Sequence, residues 1–194
     1  MDESLVRIRH ERSKKDFPGL KLEDDEYVEF FFRRAKVCLK MIWGGTFFGL
    51  VVILLAFLLV LIGQSMIDEA GRNFLFIILA VLLTSVVVIW MIALKLYNGN
   101  KLYITNKHVM QMVMDSPVLT SVNIIDLASV EDASFRQENF LQKFFKYGTF
   151  RLATVGDETT YTFKYSDVST EELGAVTKLI TEAKKEFGKA AVEE

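Results

Sequence analysis

Phenylalanines and lysines share one short segment, which is the strongest candidate for a binding surface. Residues 139–147 read Asn-Phe-Leu-Gln-Lys-Phe-Phe-Lys-Tyr, so the apolar side chains are spaced for one face of a short helix. Apolar side chains flanked by lysines are typical of a surface that touches anionic lipid. The candidate contacts for lipid or a partner are Arg136, Phe140, Lys143, Phe144, Lys146 and Arg151. The favoured alternative is that the phenylalanines close one end of a folded domain and the lysines are solvated.

Residues that could carry catalysis or hold a metal ion are sparse. The two histidines, His10 and His108, are far apart in the sequence, and no Cys, His or Asp spacing resembles a zinc site. The chain has no phosphate-binding glycine loop, no dinucleotide glycine pattern and no Gly-x-Ser-x-Gly elbow. Glu131 and Asp132 are better explained as the solvated edge of a strand. We therefore expect no enzymatic activity, no cofactor and no metal site.

Charge is distributed unevenly along the 194 residues. The 23 basic and 25 acidic residues nearly balance, at a net charge of -2. None of them lies in Met41–Ile67, a run of 27 residues, or in Asn73–Leu94, a run of 22. Two uncharged apolar runs of bilayer length exclude a purely soluble protein and a disordered chain. The single cysteine, Cys38, excludes a disulfide scaffold, and neither end of the chain is basic enough to predict nucleic-acid binding.

Two membrane helices are predicted, at 41–63 and 74–94, with an extracytoplasmic loop at 64–73 between them. Basic residues cluster before the first span and after the second: Arg33, Arg34, Lys36, Lys40, Lys95, Lys101 and Lys107. The loop holds only Arg72, beside two acidic residues. The positive-inside rule then predicts a multi-pass protein of the cell (inner) membrane with both termini in the cytoplasm.

A pair of small residues, Gly45 and Gly49, is the candidate helix–helix contact of the spans, because such a pair lets two helices approach closely. The pair either packs against the second span of the same hairpin, at Ala80 and Thr84, or joins two copies of the chain. Packing within the hairpin is favoured. The spans contain no ionisable residue, which argues against a transporter.

The first 40 residues are predicted to form a cytoplasmic segment that is partly mobile. Residues 1–16 are highly charged and lack apolar periodicity, Phe17-Pro18-Gly19 is a turn, and Lys21–Glu26 is acidic and exposed. Residues 26–34 alternate partly. They fit either a strand or an interfacial helix that leads into the first span.

The last hundred residues change to apolar residues with period two, which predicts strands. The predicted strands are Leu102–Thr105, Val109–Met114, Val118–Ile124, Ala133–Gln137, Phe150–Val155 and Thr160–Tyr165, with a turn at Gly156-Asp157-Glu158. The Met110, Met112 and Met114 stripe is read as core. Ser169 and Glu172 form a capping box for a final helix, whose apolar stripe is Leu173, Val176, Leu179, Ile180, Ala183 and Phe187. The prediction is an α+β domain at 97–188 and a tail at 189–194. A small β-barrel, or two packed antiparallel sheets, carries the helix.

The sequence resembles the bacterial PH-domain family of small two-pass membrane proteins, the YdbS-like group, over roughly residues 17–186. The resemblance rests on the segments Tyr103–Val109, Ile125–Val130 and Phe140–Phe150, and on Asp25–Lys36 before the first span. It implies a two-helix transmembrane hairpin followed by a cytoplasmic PH-like domain. His108 stands where this family commonly has arginine, and Ala133 is small for a core strand position. PH-like folds bind phosphoinositides, peptides or proteins in different families, so the fold does not name a ligand.

Three functional hypotheses follow. The first is a non-enzymatic, membrane-anchored PH-like module that mediates protein interactions, or self-association, at the cytoplasmic face. The second is a reader of anionic lipid head groups or another small anionic ligand. The third is an accessory subunit of an export or envelope-stress complex. The expected partners are membrane lipids and a protein or a second copy, without nucleic acid.

Overall fold

The structure is a computed structural model that describes residues 3–65, 67–154 and 160–193. It divides into two compact units. One unit holds residues 36–97, and the other combines residues 1–35 with residues 98–194. The second unit therefore combines the chain segments that precede and follow the first unit. The predicted domain, which begins at residue 97, leaves out the preceding segment.

The smaller unit is a helical hairpin. Helix α2 spans Lys36–Ile62, a short 3-10 helix spans Gly63–Ser65, and α3 spans Glu69–Gly99. Both long helices are long and apolar enough to cross a membrane. The hydroxyls of Thr46 and Thr84 donate to backbone carbonyls one turn earlier, each at 2.9 Å, so these polar groups are satisfied within their own helices.

The larger unit carries two antiparallel sheets. Its elements in chain order are helix α1 (Glu3–Asp16), strands β1 (Val28–Arg33), β2 (Lys101–Thr105), β3 (His108–Met114), β4 (Thr120–Asp126) and β5 (Val130–Arg136), helix α4 (Phe140–Phe144), strands β6 (Gly148–Thr154) and β7 (Thr160–Ser166), and helix α5 (Thr170–Glu193). The four-stranded sheet has the order β1-β2-β3-β4, and the three-stranded sheet has the order β5-β6-β7. The predicted fold class is confirmed. Of its two forms, the structure has packed sheets and not a closed barrel.

Strand β1 precedes the hairpin in sequence but pairs with β2, which follows the hairpin. Phe31 lies opposite Tyr103, and Arg33 lies opposite Lys101. Of the two interpretations left open for residues 26–34, the strand is therefore correct. It forms because Phe32 can enter the core on one face while Phe31 stacks on Tyr103 on the other.

The core lies between the two sheets and is closed by α5. Phe32, Ile104 and Phe150 pack there, and Val176 and Ile180 of α5 are buried against them. The predicted capping box is confirmed. The backbone N–H of Glu172 donates to Ser169 Oγ at 3.1 Å, and the N–H of Ser169 donates to a Glu172 carboxylate oxygen at 2.8 Å. The predicted turn Gly156-Asp157-Glu158, Val155 and the Phe187 side chain lie outside the described residues.

The structure adds a helix to the N-terminal segment and corrects one expectation about its exposure. Residues 3–16 form α1, because the helix gains contacts with the sheet that its charged sequence does not reveal: Ser13 Oγ accepts the N–H of Val28 at 3.0 Å. The segment Lys21–Glu26 was expected to be exposed throughout, but Glu26 is fully buried. The predicted turn at Phe17 is present, and the Phe17 ring packs on Phe31 with centroids 5.2 Å apart.

The structure also decides which way the side chains of β3 and β7 face. The methionine stripe lies on the face of the four-stranded sheet away from the main core cluster, because Met110 pairs in register with Tyr103, whereas the neighbouring Val109 faces that cluster. Met110 is nevertheless buried there, and Met112 and Met114 are partly buried. In β7, the alternation of a regular strand would place Tyr165 on the same face as Phe163. Tyr165 has instead a positive φ of 63°, is exposed, and stacks on Tyr147 with centroids 6.1 Å apart.

Candidate functional site

The turn between β5 and β6, residues 137–147 and hereafter the α4 turn, exposes its apolar side chains. Phe140 is 79% exposed and Phe144 is 68% exposed, and Leu141 and Phe145 are also exposed. The expectation that these phenylalanines close one end of the domain was therefore wrong. Tyr147 and Phe150 are the buried residues at this point, so the core is filled without them.

Polar side chains hold the α4 turn from the inside. Gln142 Oε1 accepts the backbone N–H of Glu138 at 2.5 Å and that of Asn139 at 3.3 Å. Gln137 Nε2 donates to the carbonyls of Gln142 and Tyr147, both at 3.2 Å. The amides therefore fix the loop while the aromatic rings face outward. This arrangement reverses the usual one, in which apolar side chains anchor a loop and polar ones face solvent.

Gly148, the first residue of β6, lies where β5 approaches closely. A Cβ at this position would lie 2.5 Å from the carbonyl oxygen of Arg136 and 2.8 Å from the Phe135 ring. Since a backbone carbonyl cannot move aside cheaply, only glycine lets β5 and β6 approach here. Gly148 therefore sets the start of β6 and, with it, the position of the α4 turn.

The predicted basic residues gather on the turn and on the outer face of the three-stranded sheet. Arg136 pairs with Thr149 at the end of β5. Arg151 pairs with Ser134, two register positions away and on the same face of the sheet. Lys143 and Lys146 are exposed on the α4 turn. In the described part of the chain, none of these four forms a salt bridge. Lys164, which pairs with Thr149 from β7, adds a basic residue that the sequence interpretation had not included.

A second exposed apolar turn was missed in the sequence. Val118 and Leu119 were read as the start of a strand, but β4 begins only at Thr120. Both precede the strand in the β3–β4 turn, and Val118 is 89% exposed. Ser116 Oγ accepts the N–H of Leu119 at 3.1 Å and closes the turn. The signal that could have found it is Asp115-Ser116-Pro117, whose turn residues shift the strand start downstream.

Strand β4 is an exposed edge. Among the described strands it pairs only with β3. Ile124 is 60% exposed, Val122 is also exposed, and both lie on the outer face, opposite Met110 and Met112. An unpaired edge with apolar side chains is a template for adding a further strand.

A buried carboxylate at the opposite end of the strands was also missed. Thr105 Oγ1 donates to Glu26 Oε1 at 2.6 Å, and His108 Nδ1 lies 2.9 Å from the same oxygen. The backbone N–H of Glu23 donates to Glu26 Oε2 at 2.9 Å. His10, from α1, contacts the backbone carbonyl of Glu26, so the two histidines that are distant in sequence meet at one residue.

The electrostatics of this carboxylate follow from its partners. Burial by itself raises the pKa of Glu26, but the hydrogen bonds from Thr105 and Glu23 and the adjacent His108 imidazole outweigh it. The pKa of Glu26 therefore lies below its usual 4.5. The cluster has a structural role, because its hydrogen bonds connect the N-terminal segment to the β2–β3 turn. No group of acidic, histidine or cysteine side chains among the described residues is arranged to hold a metal ion.

The two glycines of the first span behave differently. A Cβ at Gly49 would contact Val86 of α3 at 3.6 Å, so Gly49 packs within the hairpin, although against Val86 and not against Ala80 or Thr84. A Cβ at Gly45 would meet nothing within 4 Å. The predicted pair is therefore split, with one member in the hairpin contact and the other open.

Comparison with known proteins identifies one matching family model, described as bacterial PH domain, over residues 45–184. No curated protein matches the chain. A solved structure from Shewanella loihica PV-4, a DUF1696 family protein with a pleckstrin-homology domain, is similar over 44% of this chain and 70% of its own. The identity is 10% and the TM-score is 0.32. The family match runs from within α2 into α5, so it includes most of the hairpin and strands β2 to β7 but not β1.

Proposed function

Since the chain belongs to the bacterial PH-domain family, we propose that it is a two-pass membrane protein whose PH-like domain mediates protein interactions at the cytoplasmic face. The observation that carries this proposal is the pairing of Arg33 with Lys101. The first precedes the hairpin and the second follows it, so both helices connect to one folded sheet. A membrane hairpin with that connection must begin and end on the same side of the bilayer.

The side is inferred from charge. The basic residues lie on the domain and next to it, whereas the loop that joins the two helices holds Arg72 beside Asp68 and Glu69. Trp43, near the start of α2, and Trp90, near the end of α3, pack together with centroids 5.4 Å apart. Tryptophans are enriched at both membrane interfaces, so this pair supports placing these two helix ends at an interface and leaves the side to the charges.

Topology is tested by cysteine labelling of the full-length protein in a Cys38→Ser background. We expect Ser65→Cys, between the two helices, to react with an impermeant thiol reagent added to intact cells stripped of any outer membrane. Ser129→Cys, in the domain, should react only after permeabilisation. Labelling of Ser129→Cys in intact cells would reverse the orientation and reject the proposal.

The β4 edge supports the interaction role, because no other described strand pairs with its outer side and the exposed Val122 and Ile124 lie on it. A photo-crosslinking amino acid at Val122 should yield a discrete covalent adduct with a protein or with a second copy of the chain. The matched control is Thr160, an exposed residue on β7 of the other sheet. Equal adducts at both positions, or none at Val122, would remove β4 as the interaction edge.

A further inference from the structure

We propose that the domain contacts the bilayer through two apolar turns at one end of it, the α4 turn and the β3–β4 turn, which both insert into the membrane interface. This inference rests on the proposed function, because it requires the domain to be held at a membrane surface. It goes beyond that function by assigning a lipid-contacting surface that is separate from the β4 edge.

The register of the four-stranded sheet shows where the β3–β4 turn lies. Arg33 pairs with Lys101, Lys101 pairs with Met112, and Met112 pairs with Val122. The turn after Met114 therefore lies at the end of the sheet where β1 finishes and β2 starts. Asn100, just before β2, confirms this proximity, since its side-chain amide bonds the backbone of Met114 in both directions at 3.3 Å.

The α4 turn lies at the same end of the domain. Gly148, at the base of the turn, pairs with Ser166 of β7, and Ser166 forms a bridge with Arg34. The backbone N–H of Ala35 donates to the carbonyl of Tyr165 at 2.6 Å. The strained Tyr165 thus joins the end of β1 to the base of the α4 turn.

This shared end is also where the chain leaves and re-enters the domain. The domain ends its first part at Ala35 and resumes at Asn98. Both chain connections to the hairpin lie here. Since only a few residues separate each connection from a membrane span, this end of the domain cannot lie far from the membrane surface. The exposed side chains that it presents are Val118, Leu119, Phe140, Leu141, Phe144 and Phe145.

The charges beside the turns suit an anionic bilayer. Lys143, Lys146 and Arg136 are exposed at the α4 turn, and in the described chain no carboxylate pairs with them. The acids of the two turns, Glu138 and Asp115, are fewer than these cations. Exposed aromatic rings with lysines at their margin favour the head-group region, where the rings reach the acyl boundary and the lysines stay among the phosphates.

The test uses the full-length protein, with Cys38→Ser, in vesicles of phosphatidylcholine and phosphatidylglycerol. An environment-sensitive fluorophore is attached at Leu141→Cys, at Val118→Cys or, as control, at Ser129→Cys. Ser129 is exposed and lies between the end of β4 and the start of β5, at the opposite end of the domain. Lipids that carry a nitroxide near the head group should quench the two turn positions several-fold more strongly than Ser129.

Equal quenching at the three positions would overturn the inference. A blue-shifted emission at Leu141 without lipid quenching would also overturn it, since that result indicates a protein contact. Adding Phe140→Ser and Phe144→Ser to the Leu141→Cys protein should abolish the quenching, and both side chains are exposed, so the fold should survive. Failure of the proposed topology would appear separately, in the labelling of Ser65→Cys and Ser129→Cys on intact cells.

Discussion

His108 reaches the buried carboxylate of Glu26, with Nδ1 2.9 Å from Oε1, across a separation of 82 residues. Thr105 Oγ1 donates to the same oxygen at 2.6 Å and accepts the N–H of His108 at 2.7 Å. These hydrogen bonds hold the segment before the hairpin against the turn after β2. The residues of the Tyr103–Val109 segment that carry the family resemblance are therefore the ones that close the domain around its N-terminal strand.

Replacing this carboxylate should destabilise the domain. Glu26→Gln keeps only one of the two carboxylate oxygens, so the new amide N–H faces either Thr105 and His108 or the backbone N–H of Glu23. We therefore expect a loss of about 1–3 kcal/mol in the free energy of unfolding. Glu23→Gln is the matched control, because Glu23 is exposed and its ion pair with Lys107 spans 3.7 Å. Chemical denaturation of both variants measures the difference, and similar losses in the two would contradict the assignment.

The same carboxylate predicts a pH dependence. The pKa of Glu26 is lowered in the folded state, so its ionised form stabilises the fold fully above the unfolded value of about 4.5. That contribution is lost as the pH falls through the folded pKa. The stability gap between the parent protein and Glu26→Gln should therefore narrow as the pH drops below 4.5. A gap that stays constant down to pH 3 or so would contradict this role.

Gly148 should not tolerate a methyl group. The Cβ of Gly148→Ala would press on the Arg136 carbonyl at 2.5 Å, so we expect a loss of about 1–3 kcal/mol in the free energy of unfolding, as for other overpacked sites. Gly174→Ala is the control, because a Cβ there, in the second turn of α5, meets nothing within 4 Å. That change should be neutral or stabilise the helix by up to about 1 kcal/mol. Thermal unfolding of the two variants distinguishes the outcomes.

The domain should fold without its hairpin if β1 is retained. Arg33 and Lys101 are paired, so a short Gly/Ser linker can join Ala35 directly to Asn98. A fragment that begins at residue 97 lacks β1 and removes Phe32 from the core, which should cost at least about 3 kcal/mol. Near-ultraviolet circular dichroism should show native packing for the linked protein only. Cooperative unfolding of the shorter fragment would contradict the role of β1.

The linked domain also allows a test of charge. In flotation with vesicles that contain phosphatidylglycerol, Lys143→Glu with Lys146→Glu should weaken binding by at least about 2 kcal/mol, since each lost basic residue near an anionic surface contributes about 1 kcal/mol and the added carboxylates are repelled. Raising the salt concentration should weaken the parent in the same direction. Lys178→Glu with Lys185→Glu, on exposed positions of α5, makes the same change in net charge and should have little effect. Equal loss in both pairs would indicate attraction by net charge alone.

Some features of this protein were predictable from local sequence because they depend on local periodicity. The two apolar spans, most of the strands and the Ser169–Glu172 cap follow from patterns within a few residues, and a helix or strand largely obeys such patterns. The fold class follows from the order of those elements. The segment around Phe140 was recognised as a candidate for the same reason, because its composition is unusual over nine residues.

Only the tertiary structure decided which strands pair and which side chains are buried. The sequence left residues 26–34 open between strand and helix, because the partner of β1 comes after the whole hairpin. It read Glu26 as exposed, since a carboxylate in an acidic run is buried only when distant donors such as Thr105 meet it. It favoured a buried α4 turn, because an apolar run has the same composition whether it enters a core or faces a membrane. Long-range pairing places that turn at the end of the domain where β1 finishes and β2 starts, and periodicity carries no information about contacts so far apart in the chain.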